Sequence, residues 1–130
     1  MYKNILITGG AGFIGSNFAR YYYETYPEAK ITVLDKLTYA GNRDNISDLE
    51  NDKNFFFIQG DIADKSFISD LFDGNDFDCV VNFAAETHVD RSIVDPCIFI
   101  QTNVIGTHNL LLASKNKGVR RFHQISTDEV

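Results

Sequence analysis

Cysteine is scarce: there are two, and neither falls at the spacing of a metal site or a disulfide framework, so no metal is expected. Cys79 stands inside an apolar run and reads as a small packed hydrophobe. Basic residues are also short, 12 Lys and Arg against 18 Asp and Glu, for a net charge of −6. Phosphate backbones need clustered Lys and Arg, so this balance argues against a nucleic-acid partner. The one dense basic spot, Arg120–Arg121, reads as the solvated entrance of a strand. No apolar run approaches the roughly 20 residues of a membrane span, and no charged-then-apolar leader opens the chain. A cytoplasmic location without a membrane partner is the expectation. Internal repeats, linkers and low-complexity tracts are missing as well.

What is present suits a single domain spanning residues 1–130. Its 44% hydrophobic and 23% charged content is that of a chain able to bury roughly two thirds of its unfolded surface. "KNILITGG" predicts a buried strand over residues 3–8. A helix is expected over "GFIGSNFARYYYETY", with Phe13, Ile14, Phe18 and Tyr21 or Tyr22 on one apolar face and Pro27 just past its end. Further strands are predicted at 30–35, 54–61 and 78–85, a long loop at 37–45, and a helix at 64–73 capped by Asp64. From Asp95 to Gly118 one long helix is expected: Asp95 caps it, Pro96 suits its first position and Gly118 ends it. A fifth strand follows at 120–126. This alternation predicts an α/β, doubly wound parallel sheet of Rossmann type. Right-handed crossovers then gather the strand C-termini, and any ligand, along one edge.

Between the first strand and helix, "TGGAGFIG" sets Gly9, Gly12 and Gly15 at G-x-x-G-x-x-G spacing. Gly9 permits the tight turn, Gly12 lets a pyrophosphate approach the backbone, and Gly15 lets the helix pack closely on the sheet. Asp35 ends the second strand about 20 residues later, where an acid can accept hydrogen bonds from an adenosine ribose and repel a 2′-phosphate. That pattern favours NAD over NADP, with Lys36 alongside as a countervailing cation. Asp61, ending the third strand, is a candidate acceptor for an adenine amino group, with Ile62 against the ring. Ala84 and Ala85, in "NFAAET", leave room for the middle of a cofactor. At the fifth strand's end, "STDEV" presents two adjacent carboxylates, a candidate acid/base pair.

These features, with "LDKLTYAGN", "AAETHVDRSI" and "NVIGTHNLL", make the chain resemble the extended short-chain dehydrogenase/reductase family, and within it the sugar-nucleotide 4,6-dehydratases. The resemblance implies an NAD-dependent lyase of deoxysugar biosynthesis, active as a homodimer. Its small-molecule partner would be a nucleotide-linked glucose, dTDP-glucose foremost. It further implies that Phe13 and Ile14 border the pyrophosphate, Asp35, Lys36, Leu37 and Thr38 the adenosine, and Asp61 and Ile62 the adenine. Phe83, Ala84, Ala85, Glu86 and Thr87 would line the nicotinamide side with help from Thr102. Thr87 and Thr127 would contact the sugar, with His88 shaping its pocket. Asp128 would be the acid protonating the departing 6-hydroxyl, and Glu129 the base removing the C5 proton after oxidation at C4. An acid that stays protonated near neutral pH is favoured by burial and a neighbouring like charge.

The family's oxidation step also calls for a tyrosine and a lysine four residues after it. That pair is expected beyond residue 130, with no Tyr-x-x-x-Lys in this chain, which would make it the N-terminal part of a longer enzyme and inactive alone. Two alternatives stand beside this reading: a sugar-nucleotide 4-epimerase or decarboxylase of the same family, and a non-catalytic NAD-binding module. Epimerases need no C5 base or C6 acid, so the Asp128–Glu129 pair argues against them.

Overall fold

A computed structural model describes residues 1–126 except Tyr39 and His88, and gives Val89 and Arg91 by backbone alone. The five expected strands are β1 (Asn4–Thr8), β2 (Lys30–Asp35), β3 (Phe55–Gln59), β4 (Cys79–Asn82) and β5 (Arg121–Gln124). They form one sheet in the order β3-β2-β1-β4-β5, and every neighbouring pair runs parallel. β1 is central, and its Ile5, Leu6 and Ile7 are fully buried because both faces of the sheet are covered. Under α1 (Phe13–Thr25), Ile5, Ile7, Val33 and Val81 pack with Ala19 and Tyr22. On the opposite face Leu6, Leu34 and Val80 meet Ile68, Leu71 and Phe72 of α2 (Lys65–Asp73), and Leu110. Asp64 caps α2 as expected, its carboxylate accepting the Phe67 N–H at 3.0 Å.

Several local expectations need correction. The buried stripe of α1 is Gly15, Ser16, Ala19 and Tyr22, whereas Phe13 and Ile14 are 82% and 63% exposed. Small residues let the helix sit close to the sheet, and large side chains at its first turn are turned outward. Strands β3 and β4 end at Gln59 and Asn82, so 83–87 is irregular backbone. A short helix, α3 (Val89–Val94), for which no element is expected above, precedes the long one. The long helix is helical throughout but not uniform: α4 (Pro96–Phe99), a π-helical stretch (Ile100–Gly106) and α5 (Thr107–Asn116) follow in turn. Asp95 occupies the N-cap of α4 without a side-chain capping bond. Gly118 ends the run at φ +67°, as expected.

Cys79 lies in the core under α1, and burial pushes its thiol up to about 11. Cys97 is a free, exposed thiol. We therefore expect a thiol reagent at neutral pH to modify Cys97 alone in the native chain and both residues after denaturation. Prompt labelling of Cys79 without denaturant would contradict this packing.

Candidate functional site

Strand order reverses between β1 and β4, and a groove opens there at the C-terminal edge of the sheet. The Gly9 N–H donates to the Leu34 carbonyl at 2.8 Å, and the Phe83 N–H donates to the Thr8 carbonyl at 2.9 Å. Gly9 adopts φ +68°, and a Cβ on it would sit 2.6 Å from the Ala84 nitrogen. Only glycine satisfies both conditions. A Cβ on Gly15 would collide with the Gly9 carbonyl oxygen, so its small size serves packing against the loop itself rather than the sheet. Gly12 is the N-cap of α1, and no side chain caps that helix end.

Asp35 is buried. Its carboxylate accepts the Ala11 N–H at 2.9 Å and the Leu37 N–H at 2.8 Å, joining the glycine loop to the loop after β2. Leu37 has φ +58°, a costly conformation for a branched side chain. Beside it the Lys36 ammonium lies 2.9 Å from Asp61 Oδ2, and Asp61 Oδ1 accepts the Ala63 N–H at 2.9 Å. Thr38, Asp61, Ile62, Phe83, Ala84, Ala85, Glu86 and Thr102 all line the groove with Gly9, Gly12, Asp35 and Lys36. Ile62 also packs into the core on the α2 side. Thr87 is exposed and is absent from the groove lining. Phe13, Ile14, Gly15 and Leu37 flank the groove without lining it. His88, Thr127, Asp128 and Glu129, expected at the sugar end of the site, lie outside the described residues.

Three asparagines that sequence reasoning did not single out organise this edge. Asn82, fully buried at the end of β4, accepts the Thr8 hydroxyl and the Ala84 N–H, and donates to Gln124 Oε1 at 2.8 Å. Asn103 accepts the Glu86 N–H at 2.9 Å and donates to the Glu86 carbonyl at 3.1 Å, clamping the 83–87 segment to the π-helical stretch. A π turn within an α-helical run often marks a functional site. Asn45 donates to the Ala11 carbonyl at 2.8 Å, and the Asn42 N–H donates to the same oxygen at 3.0 Å. A polar residue closing an apolar run, as in "CVVN", was the available signal for Asn82; nothing local announces the other two.

The chain around Asn45 is held by ion pairs and hydrogen bonds. Arg20 binds Asp48 at 2.6 and 2.9 Å, and Arg43 binds Glu50 at 2.9 Å. Asp48 is held below the usual carboxylate range by Arg20, Glu50 by Arg43, and Asp52 by the Asn54 N–H and then the Tyr23 hydroxyl. Lowered folded-state values stabilise the protein above the ordinary carboxylate range, and that stability is lost as pH falls through the folded values. The melting temperature should therefore drop on acidification below about pH 4. The drop should be smaller in Asp48→Asn and Glu50→Gln variants. Identical acid profiles in all three proteins would refute the assignment.

One expectation fails on the letters themselves: Tyr26 and Lys30 do stand at Tyr-x-x-x-Lys spacing. Tyr26 is the C-cap of α1, and Lys30 opens β2 with its ammonium toward Asn75 and the Phe56 ring. Both lie at the N-terminal end of the strands, opposite the groove.

A family model described as GDP-mannose 4,6 dehydratase matches residues 6–130. The chain is 51% identical over 127 residues to the low-salt glycan biosynthesis protein Agl12 of Haloferax volcanii, covering 98% of this chain and 40% of that protein. A DesIV double mutant from Streptomyces venezuelae, a dTDP-glucose 4,6-dehydratase solved with NAD and DAU bound, superposes with a TM-score of 0.87. It is 44% identical, covering 97% of this chain and 40% of that one. The UDP-Glc/GlcNAc 4-epimerase of Campylobacter jejuni also superposes at 0.87, with 36% identity over 97% of this chain and 37% of its own. The chain thus spans about two fifths of the length of the relatives it matches. Because the family match takes in all but the first five residues, the chain belongs to the GDP-mannose 4,6 dehydratase family.

Proposed function

We infer that this chain is the NAD-binding portion of a sugar-nucleotide 4,6-dehydratase, with a nucleotide-linked glucose, dTDP-glucose foremost, as the substrate. The observation that carries the reading is the groove, where an uncapped helix N-terminus and a left-handed glycine stand beside acids at successive strand ends. The residues fit a dinucleotide. The Gly9, Ala11 and Gly12 N–H groups are already taken by Leu34, Asp35 and Gly9, so the donors offered to a pyrophosphate are those of the uncapped first turn of α1, at Phe13 and Ile14, at the helix's positive end. Asp35 retains acceptor capacity for a ribose beyond its two backbone bonds, and Glu86 Oε2 is buried without a hydrogen-bond partner.

Bound NAD would supply an acceptor, and later a donor, for one hydride. The chain's own contribution is placement and proton transfer. Ala84 and Ala85 leave room at the nicotinamide side, Thr102 lines it, and Thr87 and Thr127 reach the sugar. Glu129 takes the C5 proton while Asp128 protonates the departing 6-hydroxyl. That pair separates this reading from the epimerase reading, which needs neither group. Tyr26 and Lys30, far from the groove, do not supply the oxidation step. The 130-residue chain is therefore expected to bind NAD without forming a 4-keto-6-deoxy sugar.

The test is to titrate NAD into the purified chain by calorimetry, then incubate the complex with dTDP-glucose. Saturable 1:1 NAD binding with no product is expected; absence of NAD binding would defeat the reading. Ile100, Val104 and Leu111, exposed along one helical run, and β5, an edge strand, support self-association, with the homodimer as the proposed state. A molecular mass in solution that stays monomeric across concentrations would count against it.

A further inference from the structure

The reading of the groove as a dinucleotide site leaves one charged contact without a role: the Lys36–Asp61 ion pair. Lys36 directly follows Asp35, the acid that ends β2, and lines the same groove. Among the described residues lining the groove it is also the sole cation, set against Asp35, Asp61 and Glu86. The pair is oriented from both sides. Asp61 Oδ1 is fixed by the Ala63 N–H at 2.9 Å, leaving Oδ2 to hold the Lys36 ammonium at 2.9 Å. On the other side, Gln59 donates from Nε2 to the Lys36 carbonyl at 3.4 Å.

We propose that the Lys36–Asp61 pair is a specificity determinant: Asp61 withholds the groove's lysine from a ribose 2′-phosphate, so the site takes a dinucleotide with a free 2′-hydroxyl. A lone Asp35 disfavours the phosphate by repulsion, but a free ammonium next to it would offset that repulsion. Engaging Lys36 with Asp61 removes the offset without removing the lysine. Asp61 therefore acts on the 2′ position at a distance, through Lys36, in addition to any contact it makes with the adenine. The inference rests on the cofactor-site reading above, and the two fail differently.

The experiment measures NAD and NADP dissociation constants on the full chain for the wild type, Asp61→Asn, and the double variant Asp61→Asn/Lys36→Met. The ratio of the two constants is the readout, because loss of an adenine contact weakens both cofactors alike and leaves the ratio unchanged. Asp61→Asn should shift the ratio toward NADP by roughly tenfold, the scale of one charge-assisted phosphate contact. The double variant should return it to the wild-type value. A ratio unchanged in Asp61→Asn while NAD still binds overturns the proposal alone. So does a shifted ratio that persists in the double variant, since the lysine would then not be its source. Failure of the wild type to bind either dinucleotide overturns the site reading and this proposal together. Both positions are partly solvent-facing, and matching melting curves confirm that the variants remain folded.

Discussion

Gly9→Ala should cost the chain at least about 3 kcal/mol of stability and abolish dinucleotide binding. The left-handed conformation alone costs an alanine about 1–2 kcal/mol. The larger part is steric. The new Cβ would lie 2.6 Å from the Ala84 nitrogen and 2.7 Å from the Phe83 carbonyl carbon, both backbone atoms that cannot swing aside like a side chain. Relief requires the 83–87 segment to move off β1, which breaks the Phe83–Thr8 bond and opens the groove. A built-in control exists at Gly118, which has φ +67° but nothing within 4 Å of its would-be Cβ. Gly118→Ala should show only the conformational cost. Denaturant melts of the two variants separate the effects, and equal losses would show that contact with the 83–87 segment is not what demands glycine at position 9.

Replacing Asn82 with leucine, which has the same number and branching of side-chain heavy atoms, should destabilise the chain by at least about 2–3 kcal/mol, the scale of leaving buried polar groups unpaired. The Thr8 hydroxyl and the Ala84 N–H both lose their acceptor. Gln124 loses its donor but is exposed enough to turn toward water. If unsatisfied groups are the cause, adding Thr8→Val should be less harmful in the Asn82→Leu background than alone, because it removes an orphaned hydroxyl. A double-mutant cycle reads that coupling directly. Strict additivity would mean that Asn82 acts through shape rather than hydrogen bonding.

Most of the fold was legible because each strand announces itself locally. "NILIT", "KITVLD" and "CVVN" are short β-branched runs closed by glycine or a polar residue. Asp64 and Gly118 mark helix ends by rules that need only neighbours in sequence. The errors have a common origin in tertiary packing. Phe13 and Ile14 suit an apolar face by periodicity, yet the first turn of α1 lies over the glycine loop, where only Gly15 and Ser16 fit. The π-helical stretch was invisible because Asn103 finds its partner at Glu86, 17 residues away. In the groove, Gly9, Asp35, Asp61 and the two alanines were readable from spacing. Asn45 and Asn103 were not, since a polar side chain becomes an organising element only when distant backbone arrives beside it.

The peptide units on either side of Ala11 have a consequence for how the chain acquires its structure. The Ala11 N–H is taken by Asp35, 24 residues on, and its carbonyl by the Asn45 side chain, 34 residues on. The glycine loop thus stands nearly first in the sequence, but its partners are not. During N-to-C synthesis it stays unformed until the chain has run through the turn at Arg43–Asn45. These closures of 24 and 34 residues are more local than the β1–β4 pairing, which joins Ile5 to Cys79, so the loop's readiness for a ligand should appear in refolding once β1 and β2 have paired and no later than completion of the sheet.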